Sequence, residues 1–337
     1  MTAPADPPGL PLAALAAHLD AAAPGLLTGP LTARRLPGGR SNLTYAVTDG
    51  ASTVVVRRPP LGHVLSTAHD MGREHRVMSA LAGTGVPVPR THLLCADPDV
   101  IGAPFTVMEL VDGASYAGAD DLAPLGPDRV RALADRMVAA LAALHAVDPA
   151  AVGLAGLGRP DGYVRRQVER WRRQWEASKT RELPAADALY ARLAAAVPAR
   201  SDAAVVHGDY RLDNLLVDGD DRVAAVLDWE MATLGDPLTD LALLRVYGER
   251  PAAPGRPPVA AAPGFPSGDE LFERYAAASG RDVAAPGFYL GLAHFKLAAI
   301  SEGIHRRHAM GRTVGDGFDE IGAAVPGLLD AGLAALT

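Results

Sequence analysis

The feature that most constrains the fold is a change of texture at Asp112-Gly113. Before it lie five short β-like runs and one helix; after it helical spacing dominates. Runs near 31–36, 43–48 and 52–58 come first. The second, Leu43-Thr44-Tyr45-Ala46-Val47-Thr48, alternates, and Asp49-Gly50 predicts a two-residue hairpin turn into the third. Residues 68–82 carry helical spacing at Met71, His75, Met78 and Leu81, and runs at 91–95 and 104–110 complete the set. Past the joint, a helix is expected from Val130, Leu133, Met137, Leu141 and Leu144, and β-like runs recur only at 204–206, 215–217 and 223–227. Strands gathered first and helices after them indicate an α+β chain of two lobes. Residues 12–23 read as an Ala/Leu-rich helix, and the Pro/Gly-rich stretch 250–268 as a surface loop. The opening, broken by Pro4, Pro7, Pro8 and Pro11, reads as a disordered tail over residues 1–11 with no secretory signal in it.

Composition narrows the class of partner. Of 337 residues, 49% are hydrophobic and 21% charged, the balance of a soluble globule with an ample core. No run approaches the ~18 apolar residues of a membrane span, so no membrane partner is expected. A net charge of −7 argues against nucleic acid. A single cysteine, Cys95, has no internal partner and fits a reducing cytoplasm, where it reads as a small buried hydrophobe on a strand. Arginine supplies all the basic residues except Lys179 and Lys296, and asparagine occurs only at Asn42 and Asn214. A residue type retained against such bias merits a closer look.

One asparagine falls in the stretch with the most chemistry. Val205-Val206-His207-Gly208-Asp209-Tyr210-Arg211-Leu212-Asp213-Asn214 runs into Leu215-Leu216-Val217, and after a turn Val223 to Leu227 leads to Asp228-Trp229-Glu230. Two apolar runs each deliver polar residues at an end, and a hairpin-like arrangement can gather Asp209, Asn214 and Asp228. Asp and Asn oxygens are the hard ligands that Mg²⁺ prefers. A carboxylate five residues ahead of an Asn, followed by another carboxylate, suits phosphoryl transfer: one accepts a hydroxyl proton, the others hold metal on phosphates.

H-G-D-x4-N followed by a hydrophobic strand and D-W resembles the aminoglycoside phosphotransferase superfamily, itself similar to protein kinases. The resemblance implies a bilobal protein-kinase-like fold, with a five-stranded antiparallel sheet over residues 12–111 that binds nucleotide and a mainly helical catalytic lobe over 112–337. It also implies a catalytic base at Asp209, Mg²⁺ ligands at Asn214 and Asp228, and Arg211 where kinases place a lysine against the γ-phosphate. His207 would prop the catalytic segment, and Asp236 and Asp240 would hydrogen-bond its backbone. ATP is the implied phosphoryl donor, with GTP left open.

The N-terminal half should then supply a phosphate-covering turn, a strand cation and a helix carboxylate. Gly38, Gly39, Ser41 and Asn42 sit between the first two runs, where glycines let backbone approach phosphates. No lysine occurs in this half. Alternation favours Arg57 over Arg58 for the cation, with Glu74 as its partner. Arginine clamps phosphate through two donors, with a geometry unlike lysine's. Glu109 and Val111, at the joint, should meet the nucleotide base through backbone groups.

Seven residues separate Asp228 from Asp236, too few for an activation segment or a peptide platform, so the acceptor is expected to be a small molecule. L-P-G-G-x-S-N, V-R-R-P-P, R-E-H, V-P-V-P-R and H-G-D-Y-R-L-D-N together look like the branch related to kinase-like domains fused to acyl-CoA dehydrogenases. That resemblance implies a hydroxyl acceptor such as a hydroxyacyl-CoA or related acid. Residues 159–181, with eight basic and three acidic residues, agree with it: Val164, Val168, Trp171 and Trp175 share a helical face that could take an acyl chain beside flanking arginines. An antibiotic phosphotransferase is the alternative within the class, and a nucleotide-binding pseudokinase the alternative outside it.

Overall fold

The computed structural model describes residues 6–37, 42–61, 70–251, 255–283, 285–311, 318 and 320–337. Five strands, β1 (Thr32–Arg35), β2 (Leu43–Thr48), β3 (Thr53–Arg58), β4 (Thr91–Cys95) and β5 (Phe105–Glu109), form one antiparallel sheet in the order β1-β2-β3-β5-β4. The β2–β3 register pairs Thr48 with Thr53, so the connection is four residues long rather than two. The Asp49 carboxylate accounts for the difference, because it accepts from the amides of Ala51 and Ser52 and wraps the turn around itself.

One face of the sheet is covered by α1 (Leu12–Ala22), whose Leu15 and Leu19 join Tyr45, Val47, Val54, Val56, Phe105 and Val107 in a core. The expected disordered tail is corrected for residues 6–11. Leu10 is 0% exposed in this core, the Tyr45 hydroxyl donates to Pro8 O, and Arg58 donates to Gly9 O and, at 2.9 Å, to Ile101 O. Prolines suppress regular structure but do not prevent packing.

Helix α2 (Met71–Leu81) lies between β3 and β4 in the chain, capped by Asp70, which accepts from the Arg73 amide at 3.0 Å. Its inward face is Met71, Glu74, Val77, Met78 and Leu81. Glu74, not His75, therefore occupies the buried stripe, which apolar spacing alone could not reveal.

The rest is mainly helical: α3 (Ala119–Leu122), α4 (Pro127–Ala146), α5 (Tyr163–Ser178), α6 (Pro184–Ala195), α7 (Leu238–Gly248), α8 (Gly268–Ser279), α9 (Gly287–Ala309) and α10 (Val325–Ala335). Four short strands are inserted among them, β6 (Ala204–Val206), β7 (Leu215–Val217), β8 (Val223–Val226) and β9 (Thr233–Gly235), paired β6 with β9 and β7 with β8. A core running from Val55, Met78 and Met108 to the helices ties the two parts together. The apolar face of α5 lies in that core: Val164, Val168, Trp171 and Trp175 are buried, and α5 packs against α9. The expectation that this face receives an acyl chain is corrected, since the protein itself occupies it.

Candidate active site

Strand β6 ends at Val206, and the chain turns sharply through His207, Gly208 and Asp209. Gly208 has φ +82°, and a Cβ there would meet Met231 O at 2.8 Å, so the position requires glycine. Three groups hold the turn. Asp240, from the first turn of α7, accepts from the amides of His207 (2.6 Å) and Gly208 (2.8 Å). His207 Nδ1 accepts from the Asp209 amide at 3.2 Å, which leaves Nε2 to carry hydrogen and donate to Leu227 O at 2.9 Å. Lys296 Nζ, from α9, donates to Gly208 O at 2.6 Å. Asp236 does something else: it accepts from the Leu238 amide and the Tyr289 hydroxyl, at 3.0 and 2.8 Å, and so braces the start of α7 rather than the Asp209 turn.

The three polar residues of the stretch converge. Asn214 Nδ2 donates to Asp209 O at 2.8 Å and to Asp209 Oδ2 at 3.0 Å, and Asn214 O accepts from the Leu227 amide at 2.8 Å, immediately before Asp228. Asp228 adopts φ +67°, a left-handed conformation that Asp tolerates better than most side chains. Arg211 lies 2.8 Å from Asp213 Oδ2 and 3.6 Å from Asp209 Oδ2, with its guanidinium 5.0 Å from the centre of the Tyr247 ring.

From the sheet, Arg57 reaches this group. Its Nη2 donates to Asp228 Oδ1 at 2.7 Å, and its Nε lies 3.0 Å from Glu74 Oε2 without a hydrogen-bonding angle, a charge-to-charge contact. Glu74 is 1% exposed; burial pushes its carboxyl up to about 7 against the pull of Arg57. Arg57 is itself desolvated, yet Glu74, Asp228 and Glu230 together raise its pKa and hold it protonated.

Two cavities flank the segment 211–214. One, of about 490 Å³, is lined by Arg57, Glu74, Asn214, Asp228 and the strip Met108–Gly113, which contains Glu109 and Val111. The other, of about 450 Å³, is bounded by Arg211, Tyr247, Arg250, Phe265, Leu297 and Ile304, and Asp213 borders both. Gly38, Gly39 and Ser41 lie outside the described residues. Asn42 is 2% exposed and turns its amide toward Glu230 at 3.4 Å, so it links sheet to hairpin instead of lining the cleft expected of it.

The donor set suits magnesium. Asn214 spends its NH₂ on Asp209, which leaves its carbonyl oxygen as the group available to a cation, and Asp228 contributes a carboxylate to the same cleft. Both are hard oxygens, and phosphate and water oxygens would be needed to complete six ligands.

Comparison with known proteins decides the family. The profile described as the phosphotransferase enzyme family matches residues 32–285. The chain belongs to this family. Acyl-CoA dehydrogenase family member 11 of Gallus gallus is 37% identical over 90% of this chain, and the chain spans 40% of the length of that relative. Among solved structures, a candidate aminoglycoside phosphotransferase from Ralstonia eutropha is 34% identical with a TM-score of 0.85, covering 96% of this chain and 97% of that one. An aminoglycoside phosphotransferase in ternary complex with AMP-PNP and hygromycin B has a TM-score of 0.61 at 15% identity, covering 90% and 94% of the two chains, and shows the common fold. The protein is thus a member of the phosphotransferase enzyme family with a kinase-like fold, related also to the acyl-CoA dehydrogenase family members. Among the described residues, no helix is long and apolar enough to cross a membrane.

This phosphotransferase also holds residues at its site that motif reading missed: Lys296 against the Asp209 turn, and Tyr247 and Arg250 in the second cavity. Only Lys296 carried a signal, as one of two lysines in the chain. Tyr247 and Arg250 lie on and just beyond α7, where helical spacing resembles any core helix.

Proposed function

We propose that the protein transfers the γ-phosphoryl group of ATP to a hydroxyl of a small acceptor in the cytoplasm. The observation that carries this reading is the position of residues 211–214 as a partition between two cavities, with the Asp209 carboxylate bonded to Asn214 at its edge. Nucleotide would occupy the cavity beneath the sheet, with its base against the Glu109 to Val111 strip and its phosphates toward Arg57. Asn214 and Asp228 would hold Mg²⁺, which neutralises charge on the phosphates when bound. Asp209 accepts the acceptor's hydroxyl proton while the hydroxyl oxygen forms a bond to γ-phosphorus, and the bond from γ-phosphorus to the bridging oxygen breaks to release ADP. Arg211, on the partition, is suited to the charge that develops on the transferred group.

The second cavity supports an apolar acceptor with an acidic group, such as a hydroxyacyl-CoA or related acid. Leu244, Val259, Phe265, Leu297, Ile300 and Ile304 line it. Arg211 is paired with Asp213 at 2.8 Å, whereas Arg250 forms no ion pair among the described residues, and burial lowers its pKa. A desolvated guanidinium of that kind favours an anion and disfavours a polycationic antibiotic.

ADP release from Mg·ATP, or GDP release from Mg·GTP, measured with hydroxyacyl-CoA thioesters, free hydroxy acids and aminoglycosides, tests both parts. Asp209→Ala should lower turnover at least ~10²-fold, the range for a lost general base. An unchanged rate would remove Asp209 from the mechanism, and turnover of aminoglycosides alone would overturn the acceptor assignment.

A further inference from the structure

We propose that Lys296 is a positioning residue for phosphoryl transfer, gripping the Gly208 carbonyl so that Asp209 keeps its place beside Asn214 and Arg211. The inference rests on reading Asp209 as the base.

Lys296 is 6% exposed on α9. Its Nζ donates to Gly208 O at 2.6 Å and lies 5.5 Å from the centre of the Trp171 ring. Among the described residues no carboxylate comes within ion-pairing distance of it, so a cation is buried against a carbonyl and an aromatic face. That is an unfavourable place for an ammonium. Burial pushes its pKa down, and only the more distant charges of Asp209 and Asp240 oppose the shift. In a chain that uses arginine almost everywhere, stability alone gives no reason for a lysine here.

The turn it touches gives one. Asp240 takes the amide hydrogens of His207 and Gly208 on one edge, and Lys296 takes the carbonyl of Gly208 on the other. Oppositely charged groups from α7 and α9 thus fix the three successive peptide planes from Val206 to Asp209. Gly208, at φ +82° and without a side chain, cannot fix them itself. The base must lie within about 3 Å of the proton it removes, and a displacement of about 1 Å can lower a rate ~10²-fold. A compact ammonium also suits the space: the cavity beside it, lined by Trp171, Gly208, Tyr289 and Leu292, is only about 30 Å³.

The test compares Lys296→Met and Lys296→Gln with wild type, reading ADP release from Mg·ATP with water as the acceptor, calorimetric affinity for Mg·ATP, Tm, and amide hydrogen exchange over residues 207–212. Lys296→Met should lower ADP release ~10- to 100-fold, leave nucleotide affinity within ~2-fold and hasten exchange at the turn, with Tm unchanged or higher because a buried charge is gone. Lys296→Gln, which can still donate to Gly208 O, should recover part of the rate. Wild-type release or unchanged exchange in Lys296→Met overturns the proposal, as does a lowered Tm with no loss of rate. Should the Met variant not fold, Lys296→Gln decides: full wild-type release overturns the need for the ammonium, and reduced release at unchanged nucleotide affinity supports it. Asp209→Asn is measured alongside, because retained release in that variant would defeat the base assignment itself, whatever the Lys296 variants do.

Discussion

Arg57 on β3 and Asp228 beyond β8 are 171 residues apart in the chain and 2.7 Å apart across the cleft. The same guanidinium lies 3.0 Å from Glu74 on α2, so one side chain joins sheet, helix and hairpin. It can do so because arginine presents several donors in a fixed fork, whereas lysine offers one compact charge. Arg57→Lys should therefore fold but hold only one of the two carboxylates, weakening Mg·ATP binding ~10-fold by calorimetry. Affinity equal to wild type would show that the second contact contributes nothing to nucleotide binding.

The Glu74 carboxyl gives this network a pH dependence. Its pKa rises from 4.5 to about 7 in the folded protein because burial disfavours its charge. Between those values the folded chain holds a proton that the unfolded chain has released, so the stability from this group is full below about pH 4.5 and is lost as pH rises through about 7. Arg57 is the main influence opposing that rise. Arg57→Met should accordingly lose Tm more steeply than wild type between pH 7 and 8, and adding Glu74→Gln should flatten the loss. Parallel pH–Tm curves for wild type and Arg57→Met would disprove the coupling.

What could be read from the sequence was local. The alternation in β2, the spacing of Asp209 and Asn214 and the two apolar runs leading up to Asp228 each lie within a few residues, and the structure forms β2, β7 and β8 from those runs. What could not be read depends on partners far along the chain. The basic helix α5 looked like a binding surface because nothing local shows that it packs against α9 and that Trp171 and Trp175 are buried. Asn42 looked like a phosphate contact because Glu230, its partner, is 188 residues away. Lys296 stood out by rarity alone, since its meaning depends on Gly208.

Leu10 is the sharpest case, because four prolines around it suggested a tail and the structure buries it completely. A truncated core leucine costs about 2–5 kcal/mol, through lost burial and the cavity left behind. Leu10→Ala should lower the denaturation midpoint accordingly while leaving nucleotide affinity near wild type, since α1 and residues 6–11 pack on the sheet face away from the catalytic hairpin. A tail would show no change in urea unfolding, and that result would remove this segment from the core.

Asp228 lends itself to a test that separates charge from backbone. At φ +67° an alanine would add strain to the loss of the carboxylate, whereas asparagine tolerates the left-handed conformation and keeps the size of the side chain. Asp228→Asn should therefore fold, retain part of its contact with Arg57 and lose the anionic oxygen proposed to hold Mg²⁺. Titration of ATP with Mg²⁺ and again with EDTA isolates the contribution of the cation. Wild type should bind more tightly with Mg²⁺, and Asp228→Asn should bind equally in the two buffers. A variant that keeps the full Mg²⁺-dependent gain would mean that the cation is held elsewhere, and that Asp228 serves to anchor Arg57.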